Sequence, residues 1–92
     1  MPKIHVEQPH SMEISEVHKK MDSTLKGLAE KYDIDINWKN DREVSLKRRG
    51  LKGSAEIQDN RVTVDLDLSF VLAPMKGKIE SRLKEKLEKE LS

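Results

Sequence analysis

Apolar residues recur along the chain with two different spacings, and these spacings predict the secondary structure. The first spacing, in steps of three and four, joins Ile14, Val17, Met21, Leu25, Leu28 and Tyr32. On a wheel of 100° per residue they fall in a stripe roughly 100° wide, which predicts an amphipathic helix with Ser11 as its N-cap. A second helix, beginning after Pro74, is predicted by steps of four between Ile79, Leu83, Leu87 and Leu91.

Between the two helices the spacing changes to two, which is typical of strands with one buried face. Turns predicted at residues 40–42, 49–50 and 59–60 divide this region into four strands, and a further strand at residues 3–7 precedes the first helix. The last strand is predicted to run to Phe70, the final member of the series Val62, Val64, Leu66, Leu68 and Phe70. The sequence therefore predicts an α+β fold, β-α-β-β-β-β-α, in one domain over residues 1–92.

The tight turns also predict the sheet order and the register. Consecutive strands pair antiparallel and the first strand lies most simply beside the last, which gives the order 1-5-4-3-2 with both helices on one face. On the other face the predicted cross-strand rows are Asp35, Lys47, Lys52, Asp67, then Asn37, Ser45, Ser54, Asp65, then Lys39, Glu43, Glu56, Thr63. No row is strongly basic, so this face is expected to serve solubility and register. The second strand is an open edge, through which a homodimer can form.

Composition argues against several classes of protein. The chain has 18 basic and 17 acidic side chains and a net charge of +1, a smaller imbalance than is usual in proteins dedicated to nucleic acids. Without cysteine it has no disulfide, zinc–thiolate site or thiol nucleophile. No apolar stretch approaches the ~20 residues of a membrane span, and the first residues lack the pattern of a signal peptide. We therefore expect a cytoplasmic protein.

Candidate chemistry is sparse. His5, His10 and His18 lack the spacing of metal ligands. Asp65 and Asp67 lie on an open sheet face and not in a cleft suited to acid–base catalysis, and no serine stands in a nucleophile-elbow motif. We therefore expect no metal, no cofactor and no enzymatic activity.

Two surface features remain as candidate binding sites. The apolar segment that leaves the last strand is predicted to form an exposed lip for a ligand or a surface, with contacts from Phe70, Leu72 and Met75. A basic cluster that can contact phosphates consists of Lys47, Arg48, Arg49 and Lys52. No aromatic residue is interleaved with this cluster for base stacking.

Residues spread over nearly the whole chain resemble the polyhydroxyalkanoic acid system family of small bacterial proteins. They are His10 before the first helix, Tyr32 near its end, Trp38 on the next strand, the spaced Gly50 and Gly53, the segment 67–72, and Ile79–Glu80 on the last helix. The resemblance implies a link to storage-polyester metabolism and supplies no catalytic residues. His10 and Trp38 are the family positions to test first.

Three functional hypotheses follow. The first is a non-enzymatic accessory or binding protein that associates with polyester granules, or with another protein, through the lip or a helix face. The second, by analogy with helix-grip folds, is a small carrier of lipid or acyl ligands. The third is a nucleic-acid-binding module that uses the basic cluster.

Overall fold

The structure, a computed structural model, describes residues 3–91. The chain forms five strands and two α-helices in the predicted order. They are β1 (Lys3–Pro9), α1 (Ile14–Tyr32), β2 (Asp35–Trp38), β3 (Glu43–Arg48), β4 (Leu51–Ile57), β5 (Arg61–Leu68) and α2 (Lys76–Leu91), with a 3-10 turn at Ala73–Met75 before α2.

All five strands join one antiparallel sheet in the order β1-β5-β4-β3-β2, so the predicted order is confirmed. The predicted register is confirmed as well. Lys47 lies opposite both Asp35 and Lys52, and Lys52 lies opposite Asp67. The two-residue turn between β3 and β4 has Gly50 at φ 87°, a backbone conformation that glycine adopts without steric cost.

The helices and the inner face of the sheet share one aliphatic core. Leu25 of α1 and Leu83 of α2 are buried together with Ile57 and Val64 of the sheet. The apolar side of the sheet therefore packs against the apolar faces of the two helices. This contact is what the spacing of two in the strands and of three and four in the helices predicts. Burial of this surface is the main favourable contribution to the stability of such a domain.

The start of α1 differs from the prediction that Ser11 caps it. The helix begins at Ile14, with Glu13 in the N-cap position and no side-chain cap. The reason is His10, whose Nε2 donates to the carbonyl of Gln58 (2.8 Å) while its Nδ1 accepts the N–H of Met12 (3.2 Å). These two contacts hold the segment before the helix, and residues 11–13 precede its first turn.

The end of β5 also differs from the prediction. The strand ends at Leu68, two residues before Phe70. Ser69 still donates its N–H to the carbonyl of Gly50 (2.9 Å), but its own carbonyl accepts the N–H of Leu72 (3.1 Å). The chain therefore turns at residues 69–72, and the alternation of the strand no longer applies to Phe70.

Candidate functional site

The turn after β5 displays two apolar side chains to solvent. Phe70 is 85% exposed and Val71 is 67% exposed, and no other large apolar side chain within residues 3–91 is exposed. They occupy the two central positions of the turn, which is closed by the Ser69–Leu72 hydrogen bond and by the N–H of Val71 donating to Ser69 Oγ (3.3 Å). We call Phe70 and Val71 the apolar tip.

Of the three residues predicted to form the lip, the structure exposes Phe70 and not the other two. Leu72 is only 5% exposed and belongs to the core, and Met75 is half-buried against that core. Because the turn reverses the chain, it points Phe70 and Val71 outward and Leu72 inward. Val71, which sequence reasoning did not select as a contact, replaces Leu72 at the surface.

A row of cations that form no ion pair within residues 3–91 extends from the end of α1 along α2. Desolvation lowers the pKa of Lys31, in the last turn of α1, and three cations of α2 lower it further. They are Arg82, Lys78 and Lys86. We call Lys31 and these three residues the basic stripe; among the ion pairs within residues 3–91, none involves a member of it. Unpaired like charges repel each other, so the stripe favours an anionic neighbour.

Three members of the basic cluster predicted at residues 47–52, namely Lys47, Arg48 and Lys52, line one groove, but Arg48 is also bonded within the chain. Arg48 Nη1 donates to the carbonyl of Tyr32 (2.5 Å) and its Nε to the carbonyl of Arg49 (2.9 Å), which ties the hairpin to the end of α1. Lys47 and Lys52 face each other on the outer side of the sheet. Arg48 therefore has a structural role in joining the hairpin to α1. A count of basic residues in the sequence does not reveal this role.

The outer face of the sheet is segregated by charge along the β3–β4 hairpin. Lys47 lies opposite Lys52 near the apolar tip, Ser45 lies opposite Ser54 in the middle, and at the far end the acidic pair is Glu43 and Glu56. Two open grooves cross this face, with volumes of about 670 Å³ and about 460 Å³. Both are lined by Lys47 and Lys52, so the face is neither flat nor electrically uniform along its length.

Trp38 connects the β2 edge to α1. Its Nε1 donates to the carboxylate of Asp22 (3.0 Å), and its ring lies 4.1 Å from that of His18. Lys26, at 2.9 Å, lowers the pKa of Asp22 by hydrogen bonding; burial opposes this shift, and Trp38 adds to it. Trp38 is half-buried against the core, and its contacts with Asp22 and His18 join β2 to α1. His10 is buried at the start of the α1 connection.

His5 forms an exposed ionic cluster on the outer face. Its Nδ1 lies 2.5 Å from Asp65 and its Nε2 lies 3.3 Å from Glu7. The hydrogen bond with Asp65, followed by that with Glu7, raises the pKa of His5 above its ordinary value of 6.5. The charged imidazole is therefore favoured in the folded protein.

A pH dependence of stability follows from this cluster. Because the pKa of His5 is higher in the folded chain, the stabilisation is fully present below pH 6.5 and is lost as the pH rises through the folded pKa. We expect urea midpoints measured across this window to fall less for His5→Gln than for the parent protein. Asp65→Asn, which removes the largest cause of the shift, should behave in the same way. Parallel pH profiles for all three proteins would show that the cluster contributes nothing.

Two features are absent from residues 3–91. No cluster of three or more side chains with metal-binding geometry occurs among them. No helix in the same part of the chain combines the length and the apolar character needed to cross a bilayer.

The fold and the site together define a small α+β domain, with a helical layer on one face of an antiparallel sheet and an exposed apolar tip at one end. The chain belongs to the polyhydroxyalkanoic acid system protein family, whose sequence profile matches residues 4–91. The family resemblance noted from the sequence is confirmed. No curated protein and no solved structure shows a significant match to the chain.

Proposed function

We propose that this protein is a non-enzymatic accessory factor that docks on the surface of polyhydroxyalkanoate granules through the apolar tip, within the cytoplasm. The observation that carries the proposal is the 85% exposure of Phe70 beside the 67% exposed Val71, in a domain whose other large apolar residues within 3–91 are buried or half-buried. Exposed apolar side chains that adjoin each other are characteristic of interaction sites.

The geometry of the turn supports a docking role. Both side chains stand at the central positions of a hydrogen-bonded turn, and Leu72 anchors the turn in the core. The tip is therefore held in place before contact, which reduces the conformational entropy that binding must overcome. An aliphatic polyester offers an apolar surface that can cover such a tip. The name of the family to which the chain belongs refers to the system of that polymer.

The basic stripe supports binding to a surface that carries negative groups. Lys31 lies in the last turn of α1, next to Tyr32, and Arg48 joins Tyr32 to the hairpin that contacts the tip segment. Cations beside an apolar contact strengthen binding to surfaces that carry negative groups, such as carboxylate chain ends. This electrostatic contribution is screened by salt, whereas the apolar contribution is not.

Co-sedimentation with purified polyhydroxyalkanoate particles, stripped of other proteins, tests the proposal. We expect the parent protein to sediment with the particles and Phe70→Ser to bind them about tenfold to a hundredfold more weakly, because burying a phenyl group contributes roughly 1.5–3 kcal/mol. The thermal midpoint of Phe70→Ser should stay unchanged, since the side chain is 85% exposed in the free protein.

Phe70→Leu is the matched control, because it keeps an apolar side chain at the same position and should retain most of the binding. The parent protein failing to sediment at any salt concentration would overturn the proposal. Equal binding by the Ser and Leu variants would also overturn it, since the apolar tip would then not be the contact.

The two other functional hypotheses have less support. A helix-grip carrier needs a ligand space between helix and sheet, but in this chain that region contains the buried side chains of α1, α2 and the strands, and the two grooves of the sheet open on its outer face. A nucleic-acid module needs cations that are available to phosphates, whereas Arg48 donates to a carbonyl at the end of α1.

A further inference from the structure

Strand β2 is the open edge of the sheet next to β3, and the hydrogen-bond pattern shows which of its backbone groups are free for a partner. The N–H of Lys39 donates to the carbonyl of Glu43 (2.9 Å). Hydrogen-bonded pairs alternate along an antiparallel ladder, so Asn37 and Asp35 also direct their backbone groups toward β3. The N–H and C=O groups of Ile36 and Trp38 therefore point away from the sheet.

The side chains of this edge are complementary to themselves. If two copies of β2 pair antiparallel about Asn37, Ile36 lies opposite the partner's Trp38, and Asp35 lies opposite the partner's Lys39. This register uses the outward backbone groups of Ile36 and Trp38 in both chains. It also places opposite charges together on the outer face and apolar side chains together on the inner face, as stable cross-strand pairs require.

The charges of this edge form no ion pair within residues 3–91, although Asp35 lies opposite Lys47 on β3. Neither Asp35 nor Lys39 takes part in any ion pair or side-chain hydrogen bond formed within residues 3–91. Their side chains are exposed. An ion pair with a second chain therefore breaks none of the side-chain contacts in the described part of this one.

The opposite edge of the sheet, β1, lacks these properties. Its inward residues Ile4 and Val6 are already 1% and 4% exposed, so pairing there buries no further apolar side chain. Its charged residues Lys3 and His5 are engaged with Asp67 and Asp65 of the same chain. Ile36 and Trp38, in contrast, are only partly buried, and a strand added beside them covers more of their apolar surface.

We propose that two copies of this chain associate through their β2 strands, antiparallel and centred on Asn37, so that two five-stranded sheets become one continuous sheet. The two-fold axis then passes between Asn37 and the partner's Asn37, and the two apolar tips point in opposite directions. Because β2 is only four residues long, the dimer is expected to dissociate on dilution.

Two variants with complementary charges test both the edge and the register by sedimentation velocity. Lys39→Glu alone places two acidic side chains opposite each other, and Asp35→Lys alone places two lysines opposite each other. Each pair occurs twice per dimer, so we expect the association constant of each variant to fall by about tenfold or more. An equimolar mixture restores attraction at both positions and should form a heterodimer with the affinity of the parent.

Cysteine cross-linking gives a second, independent test, since the chain contains no cysteine. In the proposed register Asn37 and the partner's Asn37 form a non-hydrogen-bonded pair with Cα atoms about 4.5 Å apart, a separation that a disulfide can span. Asn37→Cys should therefore oxidise to a covalent dimer. His5→Cys, which occupies the middle of β1, should not.

The proposal is overturned if the parent protein stays monomeric at its highest soluble concentration, or if mixing the two charge variants fails to restore association. Cross-linking by His5→Cys but not by Asn37→Cys would place the interface on the other edge and would equally overturn it. Retained thermal midpoints for all variants show that any loss of association is not a loss of folding.

Discussion

Replacing Gly53 by alanine is expected to lower the free energy of unfolding by about 1–3 kcal/mol, the range for forcing extra volume into a close-packed site. Gly53 lies in the middle of β4, between Leu46 of β3 and Leu66 of β5. A Cβ atom placed there would lie 2.4 Å from the backbone oxygen of Asp65 and 2.4 Å from Leu66 Cδ2. Leu66 can rotate, but the backbone oxygen belongs to the sheet ladder, so relief requires a shift of β5.

Urea denaturation of Gly53→Ala beside Gly27→Ala separates the steric effect from the general effect of replacing glycine. Gly27 lies within α1, is exposed, and its Cβ would meet only Lys86 Nζ at 3.5 Å. Alanine there is expected to stabilise the helix by about 0.5–1 kcal/mol. Destabilisation of the same size at both positions would contradict the role assigned to Gly53.

Leu72→Ala is expected to cost about 2–5 kcal/mol of stability, the range for truncating a buried leucine. The side chain is 5% exposed and belongs to the core, and it also anchors the turn that displays the apolar tip. In the same urea titration Val71→Ala should change stability by no more than about 0.5 kcal/mol, because Val71 is 67% exposed.

A small effect of Leu72→Ala together with a large effect of Val71→Ala would reverse the assignment of these two side chains. Comparing the stability of the Leu72 and Val71 variants also helps to interpret tests of the proposed granule binding. Loss of binding in a Leu72 variant reports loss of the fold at the turn, whereas loss of binding in a Phe70 variant with an unchanged midpoint reports the contact itself.

The fold was largely predictable because each element has a repeated local pattern. The α1 stripe from Ile14 to Tyr32 offers six apolar positions at helical spacing, and the two-residue turn at Arg49–Gly50 determines the register of the β3–β4 hairpin. Short turns leave few alternative pairings, so the rows across the outer face followed from counting residues away from each turn.

The details of the candidate site were less predictable because they depend on contacts between distant residues. The start of α1 is set by His10, which is bonded to Gln58 across 48 positions of the chain, and no local signal distinguishes this from a cap at Ser11. The alternation of β5 continues smoothly to Phe70, yet the strand stops at Leu68. After it the chain turns at residues 69–72 and buries Leu72 in the core, a tertiary contact that the local alternation does not reveal.

The role of Arg48 was also not predictable from the sequence, because it too depends on a contact between distant residues. In the sequence Arg48 is one member of a basic cluster that can contact phosphates. In the structure its guanidinium group donates instead to the carbonyl of Tyr32 at the end of α1. Helix ends leave several carbonyls without intrahelical partners. A basic residue that the topology brings to such an end is therefore easily mistaken, in sequence alone, for part of a binding surface.

Charge is segregated along the β3–β4 hairpin, with Lys47 and Lys52 at one end and Glu43 and Glu56 at the other. This gives the hairpin an electric polarity in a chain whose net charge is only +1, although Asp35 and Asp67 flank the lysines on the neighbouring strands. A particle that bears negative groups exerts a torque on such a molecule before any contact is made. The torque turns the lysine end, and with it Phe70, toward the particle. This preference for one direction of approach acts over about 10 Å at 0.1 M salt. Productive encounters should therefore become rarer as the ionic strength rises, even if the final contact with the particle is apolar.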